Sequence, residues 1–269
     1  MNQGGCISNM GASNPFSACH LVPRNGNRLL IGGVNQIIPN GSLSSSGGVI
    51  GTYSNCSINR TPGQSLAANT DYYIYACMVA GVMTLDFSQT APEICPTYGI
   101  WVKTGDSACT LVGFLHTDAN GKTLGTAKDQ TIVSYYNRMR YRLETSIDGS
   151  TTSASWVELN SANRLQWVQW DDDLPTGPTA FANWGSTVAQ DTPYMGIGLN
   201  SSATTNGYTG RGFAPNTAAP SHPVFARAQN PGNSTKGQFF YATVLAKRGG
   251  TGTCSITGSA VMCLDNNAV

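Results

Sequence analysis

Residues 70–87 read TDYYIYACMVAGVMTLDF. Two runs of β-branched and aromatic residues flank an Ala80-Gly81 dipeptide, and that pattern predicts a β-hairpin, because such residues favour strands and glycine favours a tight turn. Side chains alternate across a strand, so Tyr73, Tyr75 and Cys77 share one face while Tyr72, Ile74, Ala76 and Met78 share the other. Both faces are largely apolar. Such a strand belongs inside a sandwich or against another subunit, not on a half-solvated sheet.

Working outward, short β signals precede this hairpin at Arg28 to Val34, Gln36 to Ile38 and Gly48 to Tyr53. After it, GIWVKTGDSACTLVGFLHT (99–117) carries a hairpin loop at Thr104-Gly105-Asp106-Ser107, and Asn120-Gly121 marks another turn. TIVSYYNRMRYR (131–142) closes a first unit with a strand on which Arg138, Arg140 and Arg142 alternate as one solvated face. A second unit opens with STTSASWVELN and RLQWVQWDDDLP and ends with GQFFYATVLAKRG. Between them, Gly198 to Gly237 is rich in Gly, Asn, Thr and Pro and predicts loops. No segment has a helical period. The expected fold is all-β, with two antiparallel β-sandwich or jelly-roll-like domains over 23–145 and 146–248. An irregular N-terminal arm precedes them at 1–22, and a C-terminal hairpin follows at 249–269.

The hairpin expectation is geometric. In TCSITGSAVMCL a Gly258-Ser259 turn of type II′ sets Thr257 opposite Ala260 and, counting outward, Cys254 opposite Cys263. That non-hydrogen-bonded position would hold the two Cα atoms roughly 4.5 to 5.5 Å apart, close enough for a disulfide.

Composition narrows the function classes. Of 269 residues only 11% are charged, the net charge is +1, and 40% are hydrophobic. Up to Arg140 there are eight basic and six acidic residues, then seven and eight, so neither half has the basic excess that nucleic acid requires. No apolar run of ~18 residues is present to span a membrane, and MNQGGCISNMGASNPF has neither the basic nor the apolar region of a secretory signal. A surface this poor in charge points to one covered by neighbours, in a homo-oligomer or a larger assembly.

Eight cysteines, Cys6, Cys19, Cys56, Cys77, Cys95, Cys109, Cys254 and Cys263, are disulfide candidates. An even count without an export signal fits a protein made in cytosol and oxidised after release; the alternative is that they are small buried hydrophobes. Zinc is disfavoured, because no CxxC pair exists and only His20 adjoins a cysteine, Cys19.

No catalytic, cofactor or metal set emerges. His20, His116 and His222 are isolated, and His116 reads as a strand-end surface residue. Asp171-Asp172-Asp173 reads as a solvated turn before Leu-Pro; calcium there would need oxygen ligands from other loops. Trp156, Trp167, Trp170 and Trp184 are core residues or sugar-stacking platforms, with Trp170 and Trp184 the candidates for the latter role. The sequons at Asn55, Asn59, Asn200 and Asn233 are chance matches in an Asn- and Ser-rich chain.

The runs NGNRLLIGGVNQIIPNG, ANTDYYIYACMVAGVMTLDFS, GIWVKTGDSACTLVGFLHTD and TIVSYYNRMR resemble a β-rich module of virion appendage proteins from tailed phages infecting alphaproteobacteria. SWVELN, followed far later by GQFFYATVLAK, resembles the second module that accompanies it. The resemblance implies a non-enzymatic head-spike, collar, neck-fibre or decoration protein, made in host cytoplasm and released on lysis. It implies a homo-oligomer, with a trimer favoured, in contact with other virion proteins. Two rivals remain: a carbohydrate- or receptor-binding module for host polysaccharide, and a depolymerase using Glu158 and the Asp171–Asp173 run.

Overall fold

The computed structural model describes residues 6–9, 19–23, 26–38, 66–136, 141–170, 178–186, 194–205, 210–211, 222–227 and 237–264. In chain order the strands are β1 (Cys6–Asn9), β2 (Cys19–Val22), β3 (Arg28–Ile31), β4 (Val34–Ile37), β5 (Asp71–Val79), β6 (Val82–Ser88) and β7 (Pro92–Ile94). There follow β8 (Trp101–Lys103), β9 (Asp106–His116), β10 (Asp129–Gln130), β11 (Ile132–Ser134), β12 (Tyr141–Ser146), β13 (Gly149–Thr151) and β14 (Val157–Glu158). The last are β15 (Leu165–Gln169), β16 (Thr179–Ser186), β17 (Tyr194–Leu199), β18 (Gly210–Arg211), β19 (His222–Arg227), β20 (Gln238–Lys247) and β21 (Cys254–Leu264). Helical structure among the described residues is one 3-10 turn, Ser161–Asn163, capped by the Asn160 side chain accepting from Ala162 N. The chain is all-β, as its patterning predicts.

Three larger sheets and two small hairpins stack in layers. The first sheet runs β6-β5-β9-β8-β7 with β11 added on β9. The second runs β10-β15-β20-β17-β18 with β14 on β20, and the third β12-β21-β16-β19 with β13 on β21. Among the described residues all strand pairings are antiparallel except β10 with β15. The expected hairpin is present: Val79 and Val82 flank a turn in which Ala80 (φ 49°) and Gly81 (φ 80°) are both left-handed, the type I′ geometry that matches strand twist. A second such turn, Gly32-Gly33 (φ 56° and 79°), breaks the single strand expected over Arg28 to Val34 into β3 and β4. At Gly121 a side chain would place Cβ 2.3 Å from the Leu66 carbonyl oxygen, so glycine is required there on contact as well as on conformation.

The two apolar faces of β5 are both covered within the chain. Ile74 and Ala76 pack with Leu29, Ile31, Ile38, Met83, Leu85 and Leu115, in a core closed by β2 and β3. On the opposite face Tyr75, Cys77 and Phe114 meet Val168 and Trp170, which come from the end of β15 in the second sheet. The first sheet is therefore an inner layer. A third core, with Trp167, Ile197, Phe240 and Val244, joins the second sheet to Leu143, Ala180, Ala182 and Ile256 of the third.

Further expectations need correction. The Gly198 to Gly237 stretch is not all loop, because β18 and β19 lie within it. Residues 1–22 are not wholly an arm, because β1 and β2 form a ladder from Cys6–Val22 to Asn9–Cys19. The strand expected over Thr131 to Arg142 is two strands in different sheets, β11 on β9 and β12 on β21. The C-terminal hairpin does not form. β21 runs straight through Gly258-Ser259 as an inner strand of the third sheet, pairing β16 on one side and β12 and β13 on the other. Two ladders satisfy far more backbone donors and acceptors than a lone hairpin could. The pairings β10 with β15 and β12 with β21 also carry strands from before residue 146 into the sheets of the second unit. The expected strand over Gly48 to Tyr53 lies outside the described residues.

Candidate functional site

Where the first and second sheets diverge beyond the Trp170 core, they leave a cleft of about 470 Å³. One wall is the end of the first sheet. Asp71 opens β5 and His116 closes β9 as directly opposed residues, and Nδ1 of His116 lies 2.8 Å from Oδ1 of Asp71. With that carboxylate ionised, Nδ1–H donates to it, which leaves Nε2 for another partner. The imidazole lies flat on Phe239, with centroids 3.8 Å apart and planes 9° from parallel. The turn beyond is held by Asp118, whose Oδ1 accepts from the backbone N–H groups of Asn120 and Lys122.

The second wall is the outer face of the second sheet. Alternation along β20 sends Phe240, Ala242 and Val244 into the core behind it, so Phe239, Tyr241 and Thr243 face forward. Gln166 of β15 pairs with Tyr241 in register. Arg164 donates from Nε and Nη2 to the two oxygens of Glu158, both at 2.7 Å, and its guanidinium lies 4.5 Å from the Tyr241 ring centroid. Thr243 Oγ1 donates to the same Glu158 at 2.5 Å. Hydrogen bonding from Arg164 above all, with Thr243 adding to it, holds the Glu158 carboxyl below its ordinary range against the opposing effect of burial, and Glu158 in turn raises Arg164. Behind this wall Asp129 is buried; Thr126 donates to its Oδ2, while Oδ1 has no partner among the described residues. Burial pushes the Asp129 carboxyl up.

Chemically the cleft offers an oriented imidazole, a guanidinium already spent on a carboxylate, a phenol and side-chain amides. The described lining includes no serine or cysteine, and the Thr131 hydroxyl is tied to Leu124, donating to its carbonyl and accepting from its N–H.

A second constellation lies inside the first sheet. Cys77 and Cys109 are directly opposed on β5 and β9, Cα atoms 4.3 Å apart, and form a disulfide. Asp86, with Lys103 Nζ at 2.8 Å, and Asp106, with Oδ2 3.3 Å from Cys109 Sγ, stand beside it. Cys77, Asp86 and Cys109 are close enough together to hold a metal, but both sulfurs are consumed in the bond.

The remaining sequence candidates fall as follows. Cys95 is buried with a free thiol. Cys254 and Cys263 are nine positions apart along one strand, roughly 30 Å at the usual rise, so the proposed hairpin disulfide between them is ruled out by the extension of β21. Cys6 and Cys19 lie on the paired strands β1 and β2 at non-opposed positions, Cys6 facing Val22 and Cys19 facing Asn9. Cys56 lies outside the described residues. Trp170 is no glycan platform: it is 1% exposed, its Nε1 donates to Ser134 O, and it packs edge-on to Phe114. Trp167 is equally buried, and Trp156 takes the Lys247 ammonium over its ring at 4.8 Å. Trp184 lies on β16 opposite His222 and Ile256, with its side chain outside the described residues, as are Arg138, Arg140 and the Asp171–Asp173 run. Arg142 is exposed and pairs with Glu144 at 3.1 Å. Asn200 is a structural turn residue (φ 51°) whose Oδ1 accepts from Tyr241 N.

Sequence reading passed over Asp71, Gln166, Phe239 and Tyr241. The alternation in QFFYATV was enough to put Phe239, Tyr241 and Thr243 on one face, but pairing Asp71 with His116 needs the register of β5 on β9, which the Ile74/Tyr75 bulge shifts.

No protein-family model matches the chain, and no curated protein does. Among solved structures it is similar to the insecticidal delta-endotoxin Cry8Ea1 of Bacillus thuringiensis, at 10% identity and TM-score 0.29, over 98% of this chain and 52% of the toxin. The chain thus spans about half the length of that protein. It is similar as well to a structure of the Gx strain of infectious bursal disease virus, at 10% identity and TM-score 0.28, over 97% of this chain and 70% of the other. A third is the VP2 subviral particle of infectious bursal disease virus, at 9% identity and TM-score 0.28, over 98% and 71%. Neighbours at such scores do not bear on function.

Proposed function

We propose that the chain is a structural protein of a tailed-bacteriophage particle, a head-spike, collar, neck or decoration component that works as a homo-oligomer, with a trimer favoured, and catalyses nothing. The observation that carries this reading is how the ionisable side chains are used. Glu158 binds Arg164 and Thr243, Asp71 binds His116, and Asp86 binds Lys103 beside a buried disulfide, so these groups suited to catalysis are engaged in bracing the individual sheets. The resemblance of the strand runs to phage appendage modules supports the particle setting.

The self-contact does not use the β5 faces, which the chain covers itself. Val34 and Ile37 on one hairpin and Val79 and Val82 on the next form a cluster among the exposed apolar residues, and Ile37, Met78 and Val82 line a shared groove of about 430 Å³. Covering such side chains is favourable by about 25 cal/mol per Å² of apolar surface. Light scattering of the purified chain at micromolar concentration should give a trimer, and Val79→Lys with Val82→Lys should shift it to monomer. Antibody labelling of intact particles in the electron microscope should decorate them at a fixed position. A monomeric wild type, or unlabelled particles, would refute the proposal.

A further inference from the structure

We propose that the cleft between the first and second sheets binds a neutral saccharide, one or two sugar units of a longer glycan. This goes beyond the particle role and does not depend on it. The volume of about 470 Å³ falls within the ~300–1,000 Å³ of small-molecule sites. Its walls are fixed before any ligand arrives: Gln166 and Tyr241 are a ladder pair, Asp71 and His116 close a strand end, and Asn69 is set in a left-handed turn (φ 48°) whose N–H donates to Asp118 O. A site held this way loses little freedom on binding.

Several of the polar groups there are without a hydrogen-bond partner among the described residues. The Gln166 and Asn69 amides and the Tyr241 hydroxyl bond to nothing among the described residues, and His116 keeps Nε2 beyond its bond to Asp71. Amide, phenol and imidazole together supply both donors and acceptors, which matches hydroxyl groups that need both. Leu124, Ala119 and the part of the Phe239 ring that His116 leaves uncovered add apolar surface for the C–H face of a sugar.

Charge favours neutral over anionic ligands. Arg164 is the guanidinium in the cleft, and Glu158 already neutralises it through two 2.7 Å bonds. His116 is paired with Asp71, and Asp118 is the carboxylate of the lining. A uronate, sialate or phosphate would meet Asp118 while the cationic side chain opposite is already held by Glu158.

The full chain should be applied to an array of neutral and acidic di- to tetrasaccharides, with the strongest neutral binder taken into calorimetric titration. Neutral oligosaccharides should bind, and Gln166→Ala should weaken binding by roughly tenfold, the loss of about one hydrogen bond, without moving the unfolding midpoint. Asn69→Gly, which keeps the left-handed backbone, should act likewise, and Tyr241→Ala should act more strongly. If Tyr241→Ala disturbs folding, the other two variants decide. Absence of binding across the array, a preference for acidic glycans, or neutral binding that survives Gln166→Ala and Asn69→Gly would each overturn the proposal. Binding lost in Trp184→Ala but kept in those variants would overturn it too. None of these results bears on whether particles carry the chain.

Discussion

Residues 71–88 and 254–264 are similar as sequences: apolar alternation on both sides of a small dipeptide, Ala80-Gly81 in one and Gly258-Ser259 in the other. The first folds back on itself and the second runs straight. The difference lies in what each glycine meets. A Cβ built on Gly81 would touch nothing within 4 Å, and its φ of 80° is the reason glycine stands there. A Cβ on Gly258 would lie 2.3 Å from Phe181 O and 2.6 Å from Ala182 Cα of the neighbouring strand β16. Glycine serves conformation at the first site and close approach of backbones at the second, and a sequence prints the same letter for both.

The largest effect that can test this contrast comes from the cysteines. The Cys77–Cys109 bond closes a sequence separation of 32 residues, and removing it through Cys77→Ala with Cys109→Ala should cost roughly 3 to 4 kcal/mol in denaturant unfolding. Non-reducing peptide mapping should recover Cys77 linked to Cys109 and no intrachain link between Cys254 and Cys263. Recovery of the latter would show that residues 254–264 fold back after all and that the two regions are alike.

Substituting the two glycines is the next test. Gly258→Ala should destabilise by about 3 kcal/mol, because the obstacle is backbone and cannot swing aside. Gly81→Ala has open space and carries only left-handed strain, about 1 kcal/mol. Equal losses, read from denaturant midpoints at constant m, would remove the distinction.

How much was legible follows from the same physics. Local patterns were enough for the all-β class, the Ala80-Gly81 hairpin, the Asn120-Gly121 turn and the two-faced burial of β5. What covers β5 was not legible. Trp170 reaches Tyr75 and Cys77 from a separate sheet, and no local rule pairs positions so far apart. The cleft was hidden for the same reason, since His116 and Gln166 belong to different layers and come to one cleft only through topology. Trp170 reads from sequence as either a core residue or a sugar platform, and only the fold decides for the core, where its indole N–H finds a buried carbonyl acceptor at Ser134.

The smallest effect concerns the turn that was read correctly. Ala80 adopts φ 49°, a region that costs an L-residue with an ordinary side chain roughly 1 kcal/mol and that asparagine tolerates better. Asn-Gly is the preferred type I′ pair, and Ala80 is exposed, so the larger side chain meets solvent and not the core. Ala80→Asn should therefore stabilise the protein by about 0.5 kcal/mol, less than the strain removed, because asparagine also visits left-handed conformations in the unfolded chain. The counterpart in the straight strand, Ser259→Asn, gains no turn and should give no stabilisation. Raised stability at Ala80 alone would sharpen the contrast between a glycine dipeptide that bends and one that packs; equal gains at both positions would mean that residues 258–259 sample the turn as well.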